Sequence, residues 1–175
     1  MKAKITMLLA LLTFVVMSCE ELNDLLTFNI RSSTSFTIPS SFPLTSPFEF
    51  MTPEIQTNSS QDFANNNTRA DLVKDVKLVE LKLSITAPES KTFSFLKSIH
   101  IYISAENMEE MLLASAVDIN STSNIISLTT TQEKLDAYIK ADGYRLRTST
   151  VIRETLTQDV TIKIDLKYKV TADVL

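Results

Sequence analysis

The sequence predicts an all-β domain, an antiparallel β-sandwich of about seven to nine strands with one short helix, and three observations carry that expectation. Apolar and polar side chains alternate over several stretches, most clearly at 144–152 and 160–170. A period of two marks a strand with one buried face. The stretches are separated by turn-forming runs such as Ala87-Pro88-Glu89-Ser90. Helical spacing interrupts them once, after Thr130. A β-barrel satisfies the same alternation and is the alternative architecture.

Taken in chain order, residues 1–18 read as a targeting segment. Lys2 and Lys4 precede an apolar run of 13 residues, Ile5 to Met17. That length fits the roughly 7 to 15 residues of a signal-peptide core and falls short of the ~20 that cross a bilayer as a helix. Val16-Met17-Ser18-Cys19 resembles the lipobox of bacterial lipoproteins, an aliphatic and a small residue ahead of a cysteine that is the chain's only one. Met17 departs from the usual residue at its place. The resemblance implies cleavage between Ser18 and Cys19, a diacylglycerol on the Cys19 sulfur and, often, a fatty-acyl chain such as palmitate on the new amino terminus. Each buried methylene adds about 0.8 kcal/mol, so two or three chains hold stably where one does not. Glu20, Glu21 and Asp24 look like the surface-export signals of lipoproteins from Bacteroidota. Residues 19–24 are then a lipid-anchored tether and 25–175 the sandwich domain. The expected location is the cell envelope, on the outer membrane, facing the periplasm or the surface.

The domain begins with Leu26, Phe28, Ile30, Ser32, Thr34, Phe36 and Ile38 alternating with polar residues, which predicts a first strand. Pro39, Pro43, Pro47 and Pro53 follow; proline cannot donate to a ladder, so this stretch is a crossover or edge, with Phe48–Gln56 a short edge strand inside it. The Asn- and Ser-rich run Thr57–Arg69 lacks periodicity and reads as a loop. Val76–Thr86 places Val79, Leu81, Leu83 and Ile85 against Glu80, Lys82 and Ser84. Ile99, Ile101 and Ile103 alternate with His100, Tyr102 and Ser104, and apolar segments follow at Met111–Ala116 and Ile125–Leu128.

Thr130-Thr131-Gln132-Glu133 fits a capping box, and Leu135, Tyr138 and Ile139 fall at helical spacing. Gly143 can take positive φ after the last turn. A helix over 131–140 follows, closing one end of the sandwich. The last two strands, 144–153 and 160–171, carry their apolar residues at even positions. If they pair, parity and charge favour the register that sets Arg147 opposite Asp165.

Composition narrows the chemistry. With one glycine the chain has no glycine-rich phosphate loop, and with one cysteine and one histidine it has neither an internal disulfide nor a thiolate or imidazole metal cage. No cofactor is expected. Removing Lys2 and Lys4 leaves 17 − 2 = 15 basic against 21 acidic side chains, a net charge of −6, which disfavours nucleic acid. His100, the only imidazole, sits mid-strand on a polar face, where a solvated histidine is the ordinary reading. Glu106, Glu109 and Glu110, and Asp62 with Asn65, Asn66 and Asn67, are oxygen clusters without the spacing of a calcium loop. Six phenylalanines lie between Phe28 and Phe63, as core filling or as the lining of an apolar pocket. Arg145, Arg147, Arg153, Lys163, Lys167 and Lys169 form a candidate basic surface strip that could meet lipid phosphates or an acidic partner.

The expectation is a membrane-anchored envelope lipoprotein that is not an enzyme and that binds or scaffolds, with an envelope protein as partner beside the membrane reached through Cys19. A carrier of an apolar ligand or lipid is the alternative, and a hydrolase a distant third.

Overall fold

The computed structural model describes residues 26–41, 44 and 46–174. The leader, Cys19, the acidic tether residues and Phe42 lie outside the described residues.

The first strand, β1 (Thr27–Ile38), pairs antiparallel along its whole length with the last, β10 (Val160–Ala172). On its other side β10 pairs with β4 (Val73–Ala87), which pairs in turn with the short β7 (Ile125–Ser127). The second sheet runs β2 (Phe48–Met51), β9 (Gly143–Ile152), β5 (Leu96–Ser104), β6 (Met111–Ala116) and β8 (Thr129–Thr130), with β3 (Ile55–Gln56) also on β9. The two sheets do not close into a barrel. This is an all-β sandwich, and among the described residues two short α-helices accompany it: α1 (Ser59–Asn65) and α2 (Asp136–Lys140).

The alternation explains the layers. Leu81, Leu83, Ile162, Ile164 and Leu166 of one sheet meet Ile99, Ile101, Ile103 and Leu146 of the other, all at most 2% exposed. Each such side chain contributes about 1.5–3 kcal/mol on burial. Of the six phenylalanines between 28 and 63, Phe63 is fully buried and Phe36 nearly so, while Phe28, Phe48 and Phe50 are partly buried against the core. Phe36 and Phe50 lie 5.6 Å apart and Phe28 meets Phe63 edge-on at 6.3 Å. Core filling is what these described rings do.

Four expectations need correction. The last two strands do not pair: β9 and β10 lie in different sheets. Parity requires their even residues to point inward, and that holds equally for strands facing each other across the interior. Tyr144 and Tyr168 do meet there, edge-on at 6.3 Å. Arg147 therefore stands on one outer surface and Asp165 on the other, where Asp165 is opposite Ser33 and Lys82.

In β4 the alternation changes phase. Val76 and Leu78 are buried, as are Leu81, Leu83 and Ile85, because a register shift against β10 inserts an extra residue between Leu78 and Glu80. Val79 is thereby turned out and is 44% exposed. A bulge of this kind re-aims one side chain and preserves both halves of the inward face.

The expected loop at 57–69 contains α1. Its apolar anchor is Phe63, and seven residues are too few for a 3.6-residue period to show among Asn and Ser.

The helix expected at 131–140 is confined to Asp136–Lys140, and the capping box does not form. Thr130 belongs to β8; the Thr131 amide donates to Leu113 O at 3.0 Å and its hydroxyl to Leu112 O at 3.0 Å. The segment thus continues the sheet beside β6. Leu135, Tyr138 and Ile139 are still buried, as their spacing predicts, and α2 packs against β4, β9 and α1. Gly143 has no positive φ; Asn67, Asn107 and Asp118 adopt that conformation instead. Asn and Asp tolerate the left-handed region best after glycine.

Candidate functional site

The candidate basic strip divides between the two outer surfaces, since its arginines belong to β9 or follow it and its lysines belong to β10. Each arginine has a local partner. Arg145 Nη2 donates to Glu54 Oε2 at 2.8 Å. Arg147 donates through Nε and Nη2 to the two carboxylate oxygens of Glu110, at 2.8 and 2.5 Å, and through Nη1 to Glu49 at 2.5 Å. Its guanidinium also lies 4.2 Å from the centre of the Tyr102 ring. Hydrogen bonding to Arg147 holds the Glu110 carboxyl below the usual range, against a smaller desolvation effect. Arg153 donates to the Ile119 carbonyl at 2.5 Å. Gly143 leaves room for this arrangement: a Cβ there would stand 2.7 Å from Glu54 Oε1.

The lysines of β10 acquire other neighbours. Odd residues of β1 and β10 face outward together, and the register sets Arg31 beside Lys167 and Lys169 beside Lys77 of β4. Lys82 stands opposite Asp165, and Glu80 opposite Lys167. The outer face of this sheet carries Arg31, Lys77, Lys82, Lys163, Lys167 and Lys169 against Asp75, Glu80 and Asp165, that is 6 − 3 = +3. Lys163 pairs with Asp165 at 2.7 Å and Lys77 approaches Asp75 at 3.7 Å. Among the described residues Arg31, Lys82, Lys167 and Lys169 form no salt bridge. Sequence reasoning found the β10 lysines but not Arg31, Lys77 and Lys82. The outward parity of Arg31 and Lys82 was visible; that of Lys77 was hidden by the bulge at Val79, and which strands flank β10 was not visible.

A cleft of about 300 Å³ opens where β1 meets β3 and α1, between Ile30, Ile55, Ile139, Tyr144 and Tyr168. The inward residues of β1 from Phe28 to Thr34 are only half-buried, so the sheets part here. Tyr168 donates to the Tyr144 hydroxyl at 3.2 Å, and that hydroxyl lies 2.5 Å from Ser32 Oγ. Burial raises the Tyr144 hydroxyl, partly offset by its bonds to Ser32 and Tyr168. Burial, then the neighbouring Tyr144, pushes Tyr168 well above the normal tyrosine range. A second cleft, of about 570 Å³, is lined by charged and polar residues including Glu54, Glu106, Lys140, Asp142 and Arg145.

The remaining sequence candidates stay apart. His100 is half-buried, with Ser115 and Ser149 beside it on the flanking strands, and no hydrogen bond joins it to either. Glu106 borders the larger cleft, the Glu109 carbonyl accepts from Tyr138, and Glu110 is held by Arg147. Asp62 is in the first turn of α1. Among the described residues no three His, Cys, Asp or Glu side chains are grouped to hold a metal ion, and no helix is long and apolar enough to cross a membrane.

No protein-family model matches the chain, and comparison with curated proteins gives no match. Among solved structures, the decameric BFDV capsid protein is 10% identical, with 84% of this chain and 99% of that chain covered and a TM-score of 0.34. Desmodium yellow mottle tymovirus is 12% identical, with 85% of this chain and 84% of that chain covered and a TM-score of 0.29. Turnip yellow mosaic virus is also 12% identical, with 85% and 96% covered and a TM-score of 0.26. At scores this far below 0.5 the likeness carries no functional information.

Proposed function

We propose that the chain is an envelope lipoprotein, held on a bacterial outer membrane through lipid on Cys19, whose sandwich is a non-catalytic binding or scaffolding module. The observation that carries this reading is Val16-Met17-Ser18-Cys19 at the end of a 13-residue apolar run behind two lysines. That arrangement suits cleavage and lipidation, and too few apolar residues are present for a spanning helix. Interior packing supports a module that works from its surface, because the facing side chains of the two sheets interlock. Export and anchoring are tested together by fractionating cells that express the full chain. Wild type is expected with the membranes, and Cys19→Ala in soluble fractions; a membrane-bound Cys19→Ala form counts against the anchor.

A carrier of a small apolar ligand is the second reading, favoured by the cleft at Tyr144 and Tyr168, whose volume matches the roughly 300 Å³ lower bound of ligand pockets. Polar groups around it, among them Ser32, Gln56 and Asn58, fit an acyl chain poorly. Native mass spectrometry of the unlipidated domain decides between the two: no copurifying lipid is expected, and near-stoichiometric fatty acid or phospholipid makes it a carrier. A hydrolase ranks third, because His100 bonds neither serine beside it.

A further inference from the structure

We infer that the outer face of the β1–β10–β4 sheet docks on anionic lipid headgroups of the membrane that Cys19 enters, through Arg31, Lys77, Lys167 and Lys169. The inference rests on the anchored-lipoprotein reading and adds an orientation to it.

The rows across the sheet concentrate positive charge. Asn29, Lys169 and Lys77 make one row and Arg31, Lys167 and Glu80 the next on the outward side, so four cations and one anion occupy adjacent positions. Neighbouring strands lie about 4.8 Å apart, well inside the roughly 10 Å screening length at moderate salt. Two of the contacts, Arg31 with Lys167 and Lys169 with Lys77, set like charges directly opposite, which disfavours folding; Glu80 opposite Lys167 and Asp75 at 3.7 Å from Lys77 offset this in part, and external anions would complete the compensation. Lipid phosphates are such anions.

The same rows lie within reach of the anchor. These rows lie near the end of the sheet where β1 begins, one row in from Thr27, Thr171 and Asp75, whereas the far end carries the uncharged Thr37, Thr161 and Ala87. Cys19 precedes Thr27 by eight residues, a span of at most about 28 Å. The anchor therefore keeps the positive end of the face near the headgroups. A domain whose mature chain is −6 overall would otherwise be repelled by an anionic surface, so the asymmetry decides the orientation. Val79, turned outward by the bulge beside Glu80, places an exposed apolar side chain on the same face. An acidic protein could meet the same cations, but nothing ties one to this end of the sheet.

The test uses the domain from Glu20 onward, which retains all the described strands and the whole described core. Sedimentation with phosphatidylglycerol-containing vesicles at low salt should show binding that pure phosphatidylcholine vesicles do not support and that rising salt abolishes. Loss of one cation near a lipid surface weakens attraction about fivefold, so Lys167→Ala with Lys169→Ala should lower affinity about 25-fold. The same double variant should keep its unfolding midpoint or raise it, since two like-charge pairs are relieved. Lys97→Ala with Arg145→Ala, on the opposite sheet, should leave vesicle binding unchanged. Absent binding, equal binding to both vesicle types, or equal loss from both variants overturns the inference. None of these outcomes touches lipidation at Cys19, which this domain lacks and which is read separately.

Discussion

Thr148 and Thr150 occupy inward positions of β9, and both hydroxyls are buried without a hydrogen-bond partner. A buried unpaired hydroxyl costs about 1–3 kcal/mol, whereas an apolar group of the same shape does not. Thr148→Val and Thr150→Val are each expected to raise stability by about 1 kcal/mol in urea unfolding; an equal loss would mean that both hydroxyls are satisfied. The tyrosine pair makes a pH prediction. Tyr144 and Tyr168 titrate higher when folded than when unfolded, so their contribution is complete below the ordinary tyrosine pKa and is lost as pH rises above it. Sign follows from proton counts: in that range the unfolded chain has released protons that the folded domain retains. Alkaline titration monitored by phenolate absorbance should show these two ionising together with unfolding, and Tyr168→Phe should reduce the cooperative step. Non-cooperative ionisation of both in the folded domain would contradict the burial. Parity made Thr148, Thr150, Tyr144 and Tyr168 legible as inward residues, yet the hydroxyl chain to Ser32 was not, because it joins three strands whose neighbours sequence does not name.

At the scale of elements, alternation revealed the long strands and left their partners undetermined. Even-numbered apolar residues in β9 and β10 satisfy one sheet or two facing sheets equally, so the decision falls to packing across the whole domain. A pair of cysteine substitutions reads the outcome. Residues directly opposite in an antiparallel ladder have Cα atoms about 4.5–5.5 Å apart, within disulfide range. Ser33→Cys with Asp165→Cys should therefore oxidise to a disulfide in the domain from Glu20, while Arg147→Cys with Asp165→Cys should remain reduced. The reverse pattern would restore the pairing that parity and charge favour. Helix α1 was illegible for a different reason: it is held by one aromatic anchor and not by a periodic face. Phe63→Ala is expected to cost about 3–5 kcal/mol, as for a large buried side chain, measured by thermal or urea unfolding. A change below 1 kcal/mol, on the same scale, would place the segment outside the core.

Over the whole molecule, the division of charge between two outer faces links fold to proposed role. Arginines of β9 are tied to Glu49, Glu54 and Glu110, so that surface is internally neutralised, whereas the β1–β10–β4 face keeps cations without ion-pair partners among the described residues. Sequence revealed half of that face as a run of lysines in one strand. Topology supplied the other half, because only the order β1-β10-β4 brings Arg31, Lys77 and Lys82 beside them. The proposed role at the envelope depends on the domain being tethered at Cys19. Metabolic labelling with radioactive palmitate, followed by immunoprecipitation of the full chain and of Cys19→Ala, tests that dependence most directly. Label is expected on the wild type and none on the variant, and equal labelling of both forms would contradict the anchor at Cys19.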